Sequence, residues 1–245
     1  TLEAWDISYA SEKLRLERYS FSDQEVKQYF TEDKVLSGLF ETVRTLYNID
    51  IKLVEAPVWH TDARYYELSR GGEAFAGFYM DLYSREGKRQ GAWMDAVRGR
   101  RVLPSKVQTP VAYVNTNFSR PVGGKPALFT HDQVTTLFHE FGHALQHMMT
   151  TVDELPVSGI SGVEWDAVEL ASQIMENFCW EWDMVKRMSC HVDTKAELPK
   201  SLFDKMLAAK NFQSGMFTVR QLEFGLFDML VHVELDPKTG DWNQL

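Results

Sequence analysis

Two histidines four residues apart, His139 and His143, with a glutamate directly after the first, constrain this chain more than any other feature of its sequence. Residues at i and i+4 of a helix lie one above the other, so both imidazoles of His-Glu-Phe-Gly-His can address one ion, provided the segment is helical. The surrounding sequence meets that condition. Thr130 can cap a helix over 131–150 and Gln133, three residues on, completes a capping box. Val134, Leu137, Phe138, Phe141, Leu145 and Met148 form one apolar face. Glu140 then sits about 100° around the helix from His139, beside an ion rather than on it, where a carboxylate can take a proton from metal-activated water. The bland alternative is a pair of polar residues on an exposed face. The capped amphipathic helix, the strand pattern before it and the acidic stretch after it favour the metal.

A catalytic zinc site takes three protein ligands and leaves one position open. The motif extended to a third histidine is excluded, because Gln146 and Met149 stand where it needs Gly and His. The third ligand is therefore sought among Glu154, Glu164, Asp166, Glu169 and Glu176. Glu154, beside Pro156, reads as solvated. Glu169, Ser172, Gln173 and Glu176 fall at i, i+3, i+4 and i+7, opposite Val168, Ala171, Ile174, Met175 and Phe178. Such a stripe suits a metal face or a solvent face, so spacing alone leaves Glu164 and Glu169 tied. His147 is in register with His143 but about 12 Å along the axis from His139, too far to share its ion, and reads as a neighbouring polar residue. His60, His131, His191 and His232 have no metal spacing.

Elsewhere, residues 5–30 and 33–47 carry apolar residues at helical spacing. From Ile51 short aromatic or β-branched runs are punctuated by Pro57, Gly71-Gly72 and Gly87, and Thr109–Phe118 reads as a further strand. Residues 84–108 read as a polar, basic loop. The region 51–118 is thus expected to be a small, mostly antiparallel sheet. After Thr130 the period is helical over 131–150, 164–188, 200–215 and 218–234. No repeat or linker divides the chain, which gives one mainly helical α+β unit.

The net charge of −9 is spread along the sequence, which speaks against nucleic acid and anionic membrane as partners, and the one basic cluster, Arg98 to Lys106, reads as a solvated loop. Cys179 and Cys190 are too few for a disulfide framework, so a reducing compartment is expected. No apolar run reaches the roughly 18–20 residues a membrane span needs. The start at TLEAW and the stop at DWNQL suggest a piece of a longer protein.

Four stretches, PVAYVNTNFSRP, FTHDQVTTLFHEFGHALQHMM, VSGISGVEWDAVELASQIMENFCWE and KMLAAKNFQSGMFTVRQLEFGLFD, resemble the oligopeptidase A, thimet oligopeptidase and neurolysin family of zinc metallopeptidases. The likeness runs over nearly the whole chain and is most specific over 137–182. It implies a zincin-like core, one zinc, and a third ligand in the segment Val168-Glu169-Leu170-Ala171-Ser172-Gln173, which selects Glu169; Ala171 departs from the proline usual there. It implies zinc-activated water as nucleophile and Glu140 as general base in an endopeptidase confined to short peptides by a narrow channel. It also implies that 109–118 is a sheet edge on which substrate pairs, through Ala112, Tyr113, Val114 and Asn115. The family's Tyr/His transition-state stabilisers and its N-terminal helical half have no counterpart here, so a poorly active fragment is expected, and a monomer when complete. The cytoplasm is the expected compartment, with a mitochondrion or chloroplast as the alternative. A non-catalytic peptide-binding scaffold is the runner-up, disfavoured by Glu140, which a purely structural zinc site would not need. A metallo-aminopeptidase would need a site for a free amine, and no such signature occurs.

Overall fold

The structure, a computed structural model, describes residues 3–20, 22–235 and 240. Contacts divide the chain into two compact units, one of residues 1–20 and 204–245, the other of residues 21–203. The boundary falls inside a helix, so no linker or composition shift marks it in the sequence.

The first unit contains α1 (Ala4–Tyr19). Here Tyr19 packs edge-on against Phe212 at 5.8 Å and Ser11 Oγ donates to Gln213 Oε1 at 2.6 Å. The second unit begins with α2 (Asp23–Lys27) and α3 (Glu32–Tyr47), the latter burying Val35, Leu36, Leu39 and Val43. Strands β1 (Asp50–Val54), β2 (Arg64–Arg70), β3 (Glu73–Tyr83), β4 (Trp93–Arg98), β5 (Arg101–Leu103), β6 (Lys106–Gln108) and β7 (Val111–Phe118) follow. Five form a sheet in the order β1-β2-β3-β7-β4, antiparallel at every pair except β3–β7, while β5 and β6 make a separate hairpin. The mixed helix-and-sheet class and the mostly antiparallel pairing agree with the sequence.

Two expectations are corrected. Residues 84–108 hold three strands rather than a loop; Asp95, Ala96, Val97 and Arg98 are all exposed, so β4 lacks the apolar alternation that would have marked it. Nor is 109–118 a sheet edge. Strand β7 is hydrogen-bonded to β3 on one side and to β4 on the other, so Ala112, Tyr113, Val114 and Asn115 have no free ladder to offer a substrate. The free edge beside β7 belongs to β4.

One face of the sheet presents Phe78, Met80, Leu82, Ala112 and Val114, all buried. It packs on α3 and on α4 (His131–Met148), with Phe78 5.1 Å from Phe141. The opposite face carries a run of rings, Tyr65 to Tyr79 at 4.8 Å, Tyr79 to Tyr113 at 5.6 Å and Tyr113 to Trp59 at 5.3 Å. Beside them Asp81, 1% exposed, accepts hydrogen bonds from Trp59 Nε1 at 3.0 Å, from both terminal nitrogens of Arg85 at 2.7 Å and from Lys88 Nζ at 2.9 Å. A buried carboxylate needs that many donors to stay ionised. At one end of the sheet Glu32 of α3 accepts from Arg64 and Tyr83.

After α4 the stretch 164–188 is not one helix. It breaks into a turn over 164–169, α5 (Leu170–Glu176), a 3-10 turn (Asn177–Trp180) and α6 (Trp182–Arg187). The break at 177–180 coincides with a tertiary contact, His131 Nε2 to Cys179 O at 2.8 Å. The chain continues through α7 (Lys200–Ala209) and α8 (Ser214–Val233); α7 stops short of the expected 215, and α8 buries none of its residues. Both cysteines are free thiols. Among the described residues no helix is long and apolar enough to cross a membrane.

Candidate metal centre

Helix α4 holds its histidines firmly. Thr130 Oγ1 accepts from Gln133 N at 3.2 Å while the Gln133 amide oxygen accepts from Thr130 N at 3.0 Å, the reciprocal pair the sequence suggests. Val134, Leu137, Phe138, Phe141 and Met148 are fully buried. This fixes the rotation of the helix about its axis and turns His139 and His143 to the opposite side, their rings 5.0 Å apart at 83°.

Glu169 comes to them from outside regular structure, at the N-cap position of α5. Its Oε2 lies 3.2 Å from His139 Nε2 and 3.0 Å from His143 Nε2, and one ligand atom of each residue lies within 4.8 Å of the others. Among the described residues this is the one such cluster of His, Cys, Asp and Glu. Two features bring Glu169 there. Gly142 faces α5 so closely that a Cβ on it would stand 2.3 Å from Ala171 O and 2.6 Å from Ser172 Cα. A glycine at this point of the pentapeptide therefore lets two backbones approach. In addition, Ser172 Oγ donates to Glu169 Oε2 at 2.7 Å, and this bond leads the interactions that hold the Glu169 carboxyl below the ordinary carboxylate range.

Two imidazole nitrogens and one carboxylate oxygen make a donor set that suits zinc with one position open. The outer nitrogens bear on the fit. His139 Nδ1 is 2.6 Å from Glu176 Oε1, the carboxylate–imidazole pairing that fixes tautomer and ring orientation at metal sites. His143 Nδ1 is buried without a partner while its Nε2 faces Glu169, and burial lowers its pKa, favouring the neutral, ligating form. The pairing of Glu176 with His139 was missed in the sequence. Its signal was the i+7 position in the stripe that begins at Glu169.

Glu140, 7% exposed, stands beside this cluster. Burial raises its pKa first, the Glu169 charge adds to the rise, and His139 and a backbone hydrogen bond with Met94 of β4 oppose it. The other expected residues divide clearly. Glu154, Glu164 and Asp166 are exposed and lie outside the cluster. His147 is buried and its Nε2 meets Arg98 O at 2.9 Å. His60 and His191 accept from the backbone N–H groups of Asp62 and Asp193, and His232 Nδ1 lies 2.8 Å from Asp228 O. Tyr113 packs among rings on the far face of the sheet, away from α4.

The family model described as Peptidase family M3 matches residues 1–245. The chain is 54% identical over 242 residues to oligopeptidase A of Escherichia coli (strain K12), covering 98% of this chain and 36% of that protein. It is 46% identical over 241 residues to the organellar oligopeptidase A, chloroplastic/mitochondrial, of Arabidopsis thaliana (95% and 30%). Saccharolysin of Saccharomyces cerevisiae is 31% identical over 257 residues (98% and 36%). The chain thus spans about a third of the length of these curated relatives.

Proposed function

The chain belongs to peptidase family M3, and on that premise we propose that it carries the zinc site and the catalytic base of an endopeptidase that hydrolyses short peptides. The observation that supports this reading best is the convergence of His139, His143 and Glu169 beside the buried Glu140.

His139, His143 and Glu169 would hold the ion. A zinc ion held there would supply a Lewis acid, which lowers the pKa of a bound water to about 7. Glu140 accepts the proton released as water attacks the peptide carbonyl, and passes it to the departing amine nitrogen. A carboxylate with a raised pKa suits both halves of that task, since it binds a proton more readily than a solvated glutamate yet still releases it. Glu176, through His139 Nδ1, would keep the ring turned so that Nε2 is left to bind the ion.

The substrate backbone is assigned to β4 instead of β7. Strand β4 packs against α4, with its Met94 backbone facing Glu140. The N–H of Ala96 donates to the neighbouring Asp95 carboxylate at 2.8 Å, a local and exposed partner that an incoming peptide carbonyl can replace. A peptide adding to this edge passes directly over the base. The test is metal analysis of the full-length protein. Glu169→Ala should lose zinc and Glu164→Ala should keep it; the reverse pattern would refute the ligand set.

A further inference from the structure

We infer that His147 is a positioning residue that pins the far end of β4 to α4, and so fixes where along a bound peptide the chain is cut. The inference rests on the assignment of the peptide backbone to β4. It starts from a buried group with no part in the chemistry above. His147 is 1% exposed, one turn beyond His143. A carbonyl oxygen can only accept, so the 2.9 Å contact between Nε2 and Arg98 O places the ring proton on Nε2. The other nitrogen, Nδ1, is buried without a partner and faces Gly159. Gly159 has φ +68°, and a Cβ on it would stand 2.6 Å from Nδ1 and 3.0 Å from His147 O. The loop carrying Gly159 therefore closes directly over the ring and leaves it one orientation.

Nearer its start, β4 meets α4 where the Met94 backbone faces Glu140. On the helix, residues 140 and 147 are about 10 Å apart at 1.5 Å per residue. On the strand, residues 94 and 98 are about 13 Å apart at roughly 3.3 Å per residue. The two contacts thus tie about 13 Å of strand to about 10 Å of helix, one beside the base and one made by His147. The pairing of β4 with β7 does not do this alone, because its register shifts between Ala96 and Arg98. A strand free to slip by one residue exchanges its two faces. The side chain of Arg98 reaches the Thr109 carbonyl at 2.8 Å, and His147 holds the Arg98 carbonyl from the helix side.

The experiment uses the full-length, zinc-loaded protein and a peptide with several cleavable bonds, its products identified by mass spectrometry. In His147→Leu, which keeps bulk and removes the donor, zinc content stays unchanged. KM should rise about tenfold, as loss of one buried hydrogen bond allows, with a smaller change in kcat. Cleavage should spread to neighbouring bonds, and amide exchange along β4 should quicken. His147→Gln, whose amide N–H can still donate, should restore all three readouts to within about threefold. Gly159→Ala, which crowds the ring from the loop, should act like His147→Leu and decides the matter if that variant does not fold. A folded, zinc-loaded His147→Leu or Gly159→Ala variant with wild-type β4 exchange overturns the inference. So does a folded His147→Gln variant that behaves as leucine does, since bulk rather than the donor would then matter. Failure of the wild-type protein to cut any peptide would instead refute the proposed function, while the exchange measurement still judges the clamp.

Discussion

Helix α4 and the stretch 164–188 both contribute to the candidate metal centre, and they are built in opposite ways. Helix α4 runs for 18 residues behind a complete capping box and buries His143 and Glu140 along with its apolar face. In the later stretch the only regular element near the cluster is the seven-residue α5, which has no side-chain cap, and Glu169 lies just before it with 48% of its side chain exposed. Local rules alone place the histidines. The carboxylate is placed by the neighbouring helix, through the close approach at Gly142 and the bond from Ser172. A metal site can thus join one self-sufficient element to another that takes its conformation from tertiary contacts, and the two halves should respond differently to substitution.

The largest effect should come from the self-sufficient half. Glu140→Gln in the full-length protein keeps shape and zinc but removes the base, and kcat should fall by about 10²–10⁴; near-normal turnover with zinc bound would overturn its role. Next comes the junction. Gly142→Ala leaves α4 helical, since alanine is the better helix former, but drives α5 away from it. About 1–3 kcal/mol of stability should be lost in a denaturant titration, as overpacking costs, and zinc should become removable by mild chelators. Unchanged zinc retention would show that α5 can shift without carrying Glu169 with it. Glu176→Ala should weaken zinc binding by about 10–100-fold, the usual effect of removing a group that orients a ligand. The smallest change is expected for Ser172→Ala, about tenfold or less in zinc affinity, because one hydrogen bond to a carboxylate is lost while the ligand remains. A larger effect there than at Glu176 would invert the comparison and make the serine the principal organiser.

The same contrast explains what was legible in the sequence. Thr130, Gln133 and the apolar face of α4 are nearest neighbours on one helix, so capping and period revealed both the element and its histidines. Residues 164–188 kept a helical period, yet the chain turns at 164–169 and again at 177–180, where Cys179 O meets His131, a residue 48 positions earlier. Period carries no information about such a partner. Strand β4 was invisible because four of its six residues face solvent, and β7 was taken for an edge because strand order is a property of the whole sheet. Periodicity left Glu164 and Glu169 tied; only Glu169 lies beside the backbone approach that Gly142 allows.

The Asp81 cluster on the opposite face of the sheet has a consequence in acid. Burial alone would push that carboxyl up, but the bonds from Arg85, Lys88 and Trp59 outweigh it and hold it at about 2, against an ordinary 3.8. A group whose pKa is lower folded than unfolded stabilises the fold fully above its unfolded value, and loses that contribution as pH falls through the folded one. The difference corresponds to on the order of 2 kcal/mol. The network that joins β3 to the loop after it therefore acts as an acid fuse, intact above about pH 4 and spent near pH 2, on the side of the sheet away from His139 and His143.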